Sequence, residues 1–120
     1  VDEAAKFLDT YPNANIELAA RITQIQAQSV QDYDKVRNFF IKYQDRIMYG
    51  TDLTLNPGED PTEFKKAAHD YWLSDWTYLA TGESQHVNDI HADAKGLALP
   101  KAVIDKIYYA NAEREYALQN

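Results

Sequence analysis

The sequence contains no cysteine, which excludes disulfide bonds, thiolate metal ligands and a cysteine nucleophile. Positive charge is scarce: 12 lysine and arginine residues stand against 19 aspartate and glutamate residues, for a net charge of −7. Nucleic acids and anionic membranes bind basic surfaces, so this composition disfavours both and suits cationic or neutral partners. No apolar run approaches the length of a membrane span. We therefore expect a soluble protein.

No leader, repeat or internal boundary is visible either. The first residues form an acidic helical pattern and not a basic segment followed by an apolar one, so the sequence shows no signal peptide. The compartment, cytoplasmic or exported, stays open. The 120 residues are 45% hydrophobic and include nine Tyr, four Phe and two Trp. Such a chain can form one core without an internal domain boundary.

A short apolar segment, residues 46–49, precedes Gly50, Thr51 and Asp52. An apolar run bounded by turn residues predicts a strand that is covered on both faces, as in a parallel sheet. Asp52 would then lie just past the C-terminal end of the strand, where α/β folds hold their reactive groups. Gly50 allows a turn or the close approach of another group. The simpler alternative is that Asp52 caps a turn.

Residues 15–19 predict an earlier strand, with its apolar residues on one face and Glu17 on the other. Glu17 is either an inward polar group or an exposed residue of a weak strand. Arg21 comes at or beyond the end of this strand, on the same side as Asp52. A guanidinium there could hold a substrate carboxylate with two hydrogen bonds. The alternative for Arg21 is a salt bridge that ties a loop to the strand ends.

Helical periodicity predicts four helices, over residues 2–10, 32–43, 62–80 and 101–118. We expect Asp2 to cap the first helix, and Asp32 or Asp34 to cap the second. Phe39 and Phe40 are expected in the core. The aromatic residues of the third helix, spaced at helical intervals between residues 64 and 79, are expected to form a packing stripe.

Two polar segments separate these elements. Residues 23–30 predict a loop or a short helical turn. Residues 81–96 contain His86, His91 and two aspartates, a composition that suggests metal binding. The spacing of the histidines matches no zinc signature, so a solvated polar loop is the preferred interpretation.

Together these patterns predict a helix-rich α/β chain with two parallel strands near residues 14–19 and 46–50. The alternative is a purely helical domain, because helical patterning outweighs strand patterning. Two strands alone leave unpaired sheet edges and bury little surface. We therefore expect an unstable monomer that associates with a larger assembly or with copies of itself.

Three sequence blocks resemble a known family in order and in content. They are YPN…IELAARI (residues 11–22), FFIKYQDRIMYGTD (39–52) and GLALP…KIYYANAER (96–114). They closely resemble the C-terminal part of the amidohydrolase-related family of metal-dependent hydrolases and decarboxylases. The resemblance covers nearly the whole chain apart from residues 54–95. It implies that residues 1–120 are the last two strands and flanking helices of a (β/α)8 TIM-type barrel.

The resemblance also implies a chemistry. In that family a divalent metal, usually zinc, is held by histidines of earlier strands and by an aspartate after the last strand. Asp52 matches that aspartate by position, as a metal ligand and as the group that moves the proton of metal-bound water. The implied activity is hydrolysis, or non-oxidative decarboxylation, of a small carbonyl or carboxylate compound. Arg21 is the candidate substrate-binding residue.

The sequence departs from the family at the metal ligands. The family's histidines have no counterpart before Asp52, and His69, His86 and His91 all follow it. A zinc site needs about three protein ligands. We therefore expect no bound cofactor and no activity from this chain alone, and we expect the metal only in the complete barrel. The alternative is a non-catalytic domain that packs against a partner.

Overall fold

The computed structural model describes residues 1–19, 21–50, 53 and 55–117. It is a helix-rich α/β fold with two separate two-stranded sheets. The elements, in chain order, are α1 (Asp2–Thr10), β1 (Ile16–Glu17), α2 (Ile22–Gln31), α3 (Tyr33–Lys42), β2 (Ile47–Met48), α4 (Pro61–Ala80), β3 (Ser84–Val87), a 3₁₀ turn (Asn88–Ile90), β4 (Ala92–Lys95), α5 (Lys101–Asp105), a π-helical turn (Lys106–Ala110) and α6 (Asn111–Ala117). The purely helical alternative is therefore wrong.

β1 and β2 form the parallel pair that the sequence predicts. Ile16 is opposite Ile47, and Glu17 is opposite Met48. The ladder continues beyond the two-residue strands, because the amide of Leu18 donates to the carbonyl of Met48 at 2.9 Å. The connection between the strands runs through α2 and α3.

The core covers only one face of this pair. Ile47 is fully buried there, whereas Glu17, whose side chain alternates to the opposite face, is exposed and Met48 is half-buried. The buried hydrophobic residues are Leu8, Leu18, Ile22, Ile25, Val36, Phe39, Phe40, Tyr43, Ile47, Tyr78, Leu79, Ala94, Leu97, Leu99, Val103, Ile104 and Ile107. The expected burial of Phe39 and Phe40 is confirmed.

The helix caps agree with the sequence in one case and differ in another. The Asp32 carboxylate accepts a hydrogen bond from the amide of Lys35 at 3.2 Å, so Asp32 caps α3. Asp2 is the first residue of α1 and not its cap, because Val1 occupies the capping position. The Asp2 carboxylate instead pairs with the Lys35 ammonium at 2.7 Å, which ties α1 to α3.

The segment expected to be a loop or a short turn, residues 23–30, belongs to the ten-residue helix α2. Its buried residues, Ile22, Ile25, Gln26 and Ser29, recur at intervals of three and four and therefore lie on one face. Two of the four are polar, so hydrophobicity alone does not reveal that face.

The segment expected to be a solvated loop, residues 81–96, contains an antiparallel hairpin. β3 pairs with β4 from Ser84 opposite Lys95 to Val87 opposite Ala92. His91 adopts a left-handed conformation at the turn, with φ of 51°. The strands carry few large apolar residues, so the alternation of apolar and polar residues that is typical of a strand is weak in the sequence. β4 packs against α2, with Ala94 fully buried.

The last two helical segments are also less regular than predicted. The expected stripe in α4 is only partly buried: Tyr78 and Leu79 are in the core, but Tyr71 and Trp72 are 38% and 39% exposed. The single helix expected over residues 101–118 contains a π-helical turn at Lys106–Ala110.

No helix in the described part of the chain has both the length and the apolar character needed to cross a membrane.

Candidate functional site

Arg21 lies four residues beyond the end of β1, at the position that precedes α2. Its side chain is exposed, and its guanidinium approaches Gln24 Oε1 at 3.4 Å. Arg21 makes no ion pair within the described residues, so the alternative of a salt bridge to a loop finds no support there. With Glu17 it lines an open cleft of about 370 Å³ at the end of β1.

Asp52, the predicted metal ligand and catalytic residue, lies outside the described residues. The residues just before it are described. Gly50 was predicted to allow either a turn or the close approach of another group. The structure shows the close approach, because a Cβ atom at Gly50 would overlap the Glu17 carboxylate. Glu17 is exposed in this chain, and its carboxylate lies over Gly50 at the end of β2.

A second polar site, which the sequence did not reveal, is formed around Asp75 of α4. Asp75 is only 5% exposed, and its Oδ2 accepts a hydrogen bond of 2.7 Å from the hydroxyl of Tyr49, just after β2. Burial raises the pKa of Asp75 to about 6, although the Tyr49 hydrogen bond acts in the opposite direction. Burial, followed by the Asp75 hydrogen bond, raises the pKa of Tyr49.

An aromatic cluster surrounds the Tyr49 hydroxyl. Tyr108 stacks on Tyr49 with ring centroids 4.5 Å apart, and Trp72 meets Tyr108 edge to face at 5.7 Å. The Tyr108 hydroxyl is buried without a hydrogen-bond partner among the described residues. Burial, and then the nearby Asp75 carboxylate, raise the pKa of Tyr108. Both phenols therefore stay neutral at physiological pH.

Asp75 opens onto a polar cleft of about 270 Å³ between α2, α4 and the segment that follows β3. The residues that line it are Ile22, Thr23, Gln26, Tyr71, Ser74, Asp75, Gln85, His86, Val87, Asn88 and Asp89. Beneath the cleft, the Tyr78 hydroxyl donates to Ser29 Oγ at 2.7 Å, and Ser29 donates to the Gln26 carbonyl at 2.8 Å. These bonds fix the two helical walls relative to each other.

The three histidines do not form a metal centre with other side chains in the described ranges. His86 Nδ1 lies 2.9 Å from Asp93 Oδ1 across the hairpin, both groups being exposed. His91 is at the hairpin turn, and His69 lies on α4 near Trp72. Among the described residues there is no group of three potential ligands.

Chain comparisons give no further identification. A scan against family models, a search of curated proteins and a search of solved structures each found no match.

Proposed function

We propose that this chain is the C-terminal portion of a metal-dependent hydrolase barrel, acting on a small carbonyl or carboxylate compound, with Asp52 and Arg21 at its active-site rim. The parallel pairing of β1 with β2 carries the proposal. Parallel strands point the same way, so Arg21, which follows β1, and Gly50, which follows β2, lie toward the same end of the strand pair. That end holds the active site in (β/α)8 enzymes.

The uncovered face of the strand pair supports the barrel. Parallel sheets are normally covered on both faces. Here helices cover the face of Ile47, whereas Glu17 is exposed on the other face, and β1 pairs on one edge only within the described residues. The outer edge of β2 is bonded to the C-terminal helical segment, by the Tyr49 amide to the Ile107 carbonyl and by Asn111 Nδ2 to the Ile47 carbonyl. In a barrel the second face is the interior and the free edge of β1 pairs with a neighbouring strand.

The described residues do not provide a zinc site by themselves. Zinc takes about three protein ligands, and no such group is found among them. A metal would need histidines contributed by other strands of the proposed barrel. Arg21 can still be assigned a role, since its exposed guanidinium at the strand edge is available to bind a carboxylate.

The test begins with the coding sequence upstream of the Val1 codon, where we expect a strand with a histidine pair. In the longer product, Asp52→Asn should lower metal-dependent hydrolysis at least about 100-fold. Asp70→Asn, at an exposed position of α4, is the matched control and should leave it unchanged. Absence of the histidine pair, or full activity of Asp52→Asn, would contradict the proposal.

Elemental analysis of the 120-residue chain adds an independent check. Stoichiometric zinc in the isolated chain would contradict the requirement for ligands from elsewhere. If the upstream histidine pair is present but no substrate is hydrolysed, non-oxidative decarboxylation of a small carboxylate is the next activity to assay. If both activities are absent and the chain forms a stable complex with a partner, a non-catalytic packing domain is favoured.

A further inference from the structure

The cleft above Asp75 has charges of one sign. Its acidic lining consists of the carboxylates of Asp75 and Asp89, beside the imidazole of His86 and the phenol of Tyr71, and neither lysine nor arginine lines it among the described residues. The whole chain carries a net charge of −7. A concave site with low-dielectric walls and negative charge attracts cations.

Asp75 lacks a counter-ion. Aspartate is almost never fully buried unless it is paired, because desolvation of the charge is costly. Asp75 is 5% exposed, yet its described partner is the neutral hydroxyl of Tyr49, and no ion pair involves it within the described residues. The chain therefore leaves a buried anionic group beside the cleft that a cation would stabilise.

Gln26, on the opposite wall, gives a second and independent indication. It lines the same cleft and is 5% exposed, and its side-chain amide makes no hydrogen bond within the described part of the chain. Its amide atoms are not among the enclosed unpartnered atoms of the described residues, so they are accessible from the cleft and free to bond a ligand there. α2 and α4 thus each present one polar group, Gln26 and Asp75, to the same cleft. A ligand with hydrogen-bond donors can bind both groups.

We infer that this cleft binds a small organic cation with N–H donors, a primary ammonium or guanidinium group, with Asp75 as the ionic anchor. The amide oxygen of Gln26 accepts a second hydrogen bond from the cation. Tyr71, which is 38% exposed, also lines the cleft and supplies an aromatic ring near the charge. The volume of about 270 Å³ admits a small head group. This site needs no metal and does not depend on the hydrolase proposal.

The inference is tested by adding methylguanidinium, and separately methylammonium, to the ¹⁵N-labelled chain and following its two-dimensional NMR spectrum. We expect saturable shifts of the Gln26 and Gln85 side-chain amides with at least one of them, and the two titrations identify the preferred head group. Tetramethylammonium, which lacks N–H donors, and acetate, which is anionic, should cause no saturable shift of these signals.

Two variants locate the binding. Asp75→Asn keeps the side-chain shape and removes the charge, and it should weaken binding at least tenfold. Gln26→Leu should weaken it as well. Asp70→Asn, an exposed carboxylate of the same helix, should bind like the original chain. The inference is wrong if neither N–H cation gives saturable shifts, if tetramethylammonium or acetate binds equally well, or if a folded Asp75→Asn retains full affinity.

Discussion

At the scale of single residues, Asp75 couples folding to pH. Its pKa is raised from 3.8 to about 6 in the folded chain, so the folded state binds a proton more tightly than the unfolded state. The contribution of this bound proton to the free energy of unfolding is complete below about pH 4. It is lost as the pH rises through about 6. The free energy of unfolding should therefore increase by up to about 1 kcal/mol for each pH unit between about pH 7 and 5.

Urea unfolding of the original chain and of Asp75→Asn measures this contribution as the difference between their pH slopes. Tyr49, Tyr71 and Tyr108 face the carboxyl group but stay neutral in this range, since their pKa values are raised. His86 and Asp89 line the same cleft. His86→Gln and Asp89→Asn are therefore the control variants, which show the pH slope when another ionisable group of the cleft is removed and Asp75 is kept. Identical slopes with and without Asp75 would contradict the prediction.

Asp75 also shows why sequence did not predict this site. A signal was present: Asp75 lies three and four residues before Tyr78 and Leu79, which places a carboxylate on the buried face of α4. The partner was not predictable, because Tyr49 reaches Asp75 from 26 positions earlier through the tertiary fold. Arg21, in contrast, follows β1 closely along the chain, because local strand patterning was sufficient to locate that strand; its role in binding a substrate stays a prediction.

At the scale of elements, the segment after β4 is held by the end of α4 and leaves no space at Gly96. The amide of Gly96 donates to the Glu83 carbonyl at 2.9 Å, and the amide of Leu97 donates to the Tyr78 carbonyl at 2.7 Å. A Cβ atom at Gly96 would overlap the backbone carbonyl of Thr81. We expect Gly96→Ala to destabilise the chain by about 1–3 kcal/mol, because backbone would have to move.

Gly50→Ala is the matched control. The three atoms nearest to its Cβ would all belong to the exposed side chain of Glu17, which can rotate away, so we expect a cost below about 1 kcal/mol. Denaturant unfolding of both variants gives the comparison. Equal costs at the two positions, or a larger cost at Gly50, would show that the Gly96 segment is not packed as described.

The elements differ in how far sequence predicts them. α1 was predicted with its observed bounds, although not with its cap, and α3 and α4 to within one residue at each end, because the apolar spacing there is helical. α2 and the β3–β4 hairpin were missed, since their buried positions include polar or small residues such as Gln26 and Ala94. Their structure depends on packing against each other, which a local pattern does not record.

At the scale of the whole molecule, the chain exposes more surface than a compact monomer. Its accessible surface is 7745 Å², whereas a monomer of 13.8 kDa exposes about 6,600 Å². Its radius of gyration is 15.1 Å, against about 13.6 Å for a compact domain of this length. The excess of about 1,100 Å² exceeds the roughly 800 Å² that one partner buries in an interface of standard size.

The location of the exposed apolar residues leads to the last prediction. Tyr71, Trp72 and Leu73 are 38%, 39% and 45% exposed on α4, and tyrosine and tryptophan are enriched in interfaces. With the outer edge of β1, which pairs with no further strand among the described residues, this surface should make the isolated chain associate at micromolar concentration, which sedimentation velocity measures. Leu73→Glu should shift the population toward monomer, whereas Val30→Glu, at a comparably exposed position of α2, should not. A single sharp monomeric species with cooperative unfolding would show that the chain is stable without a partner.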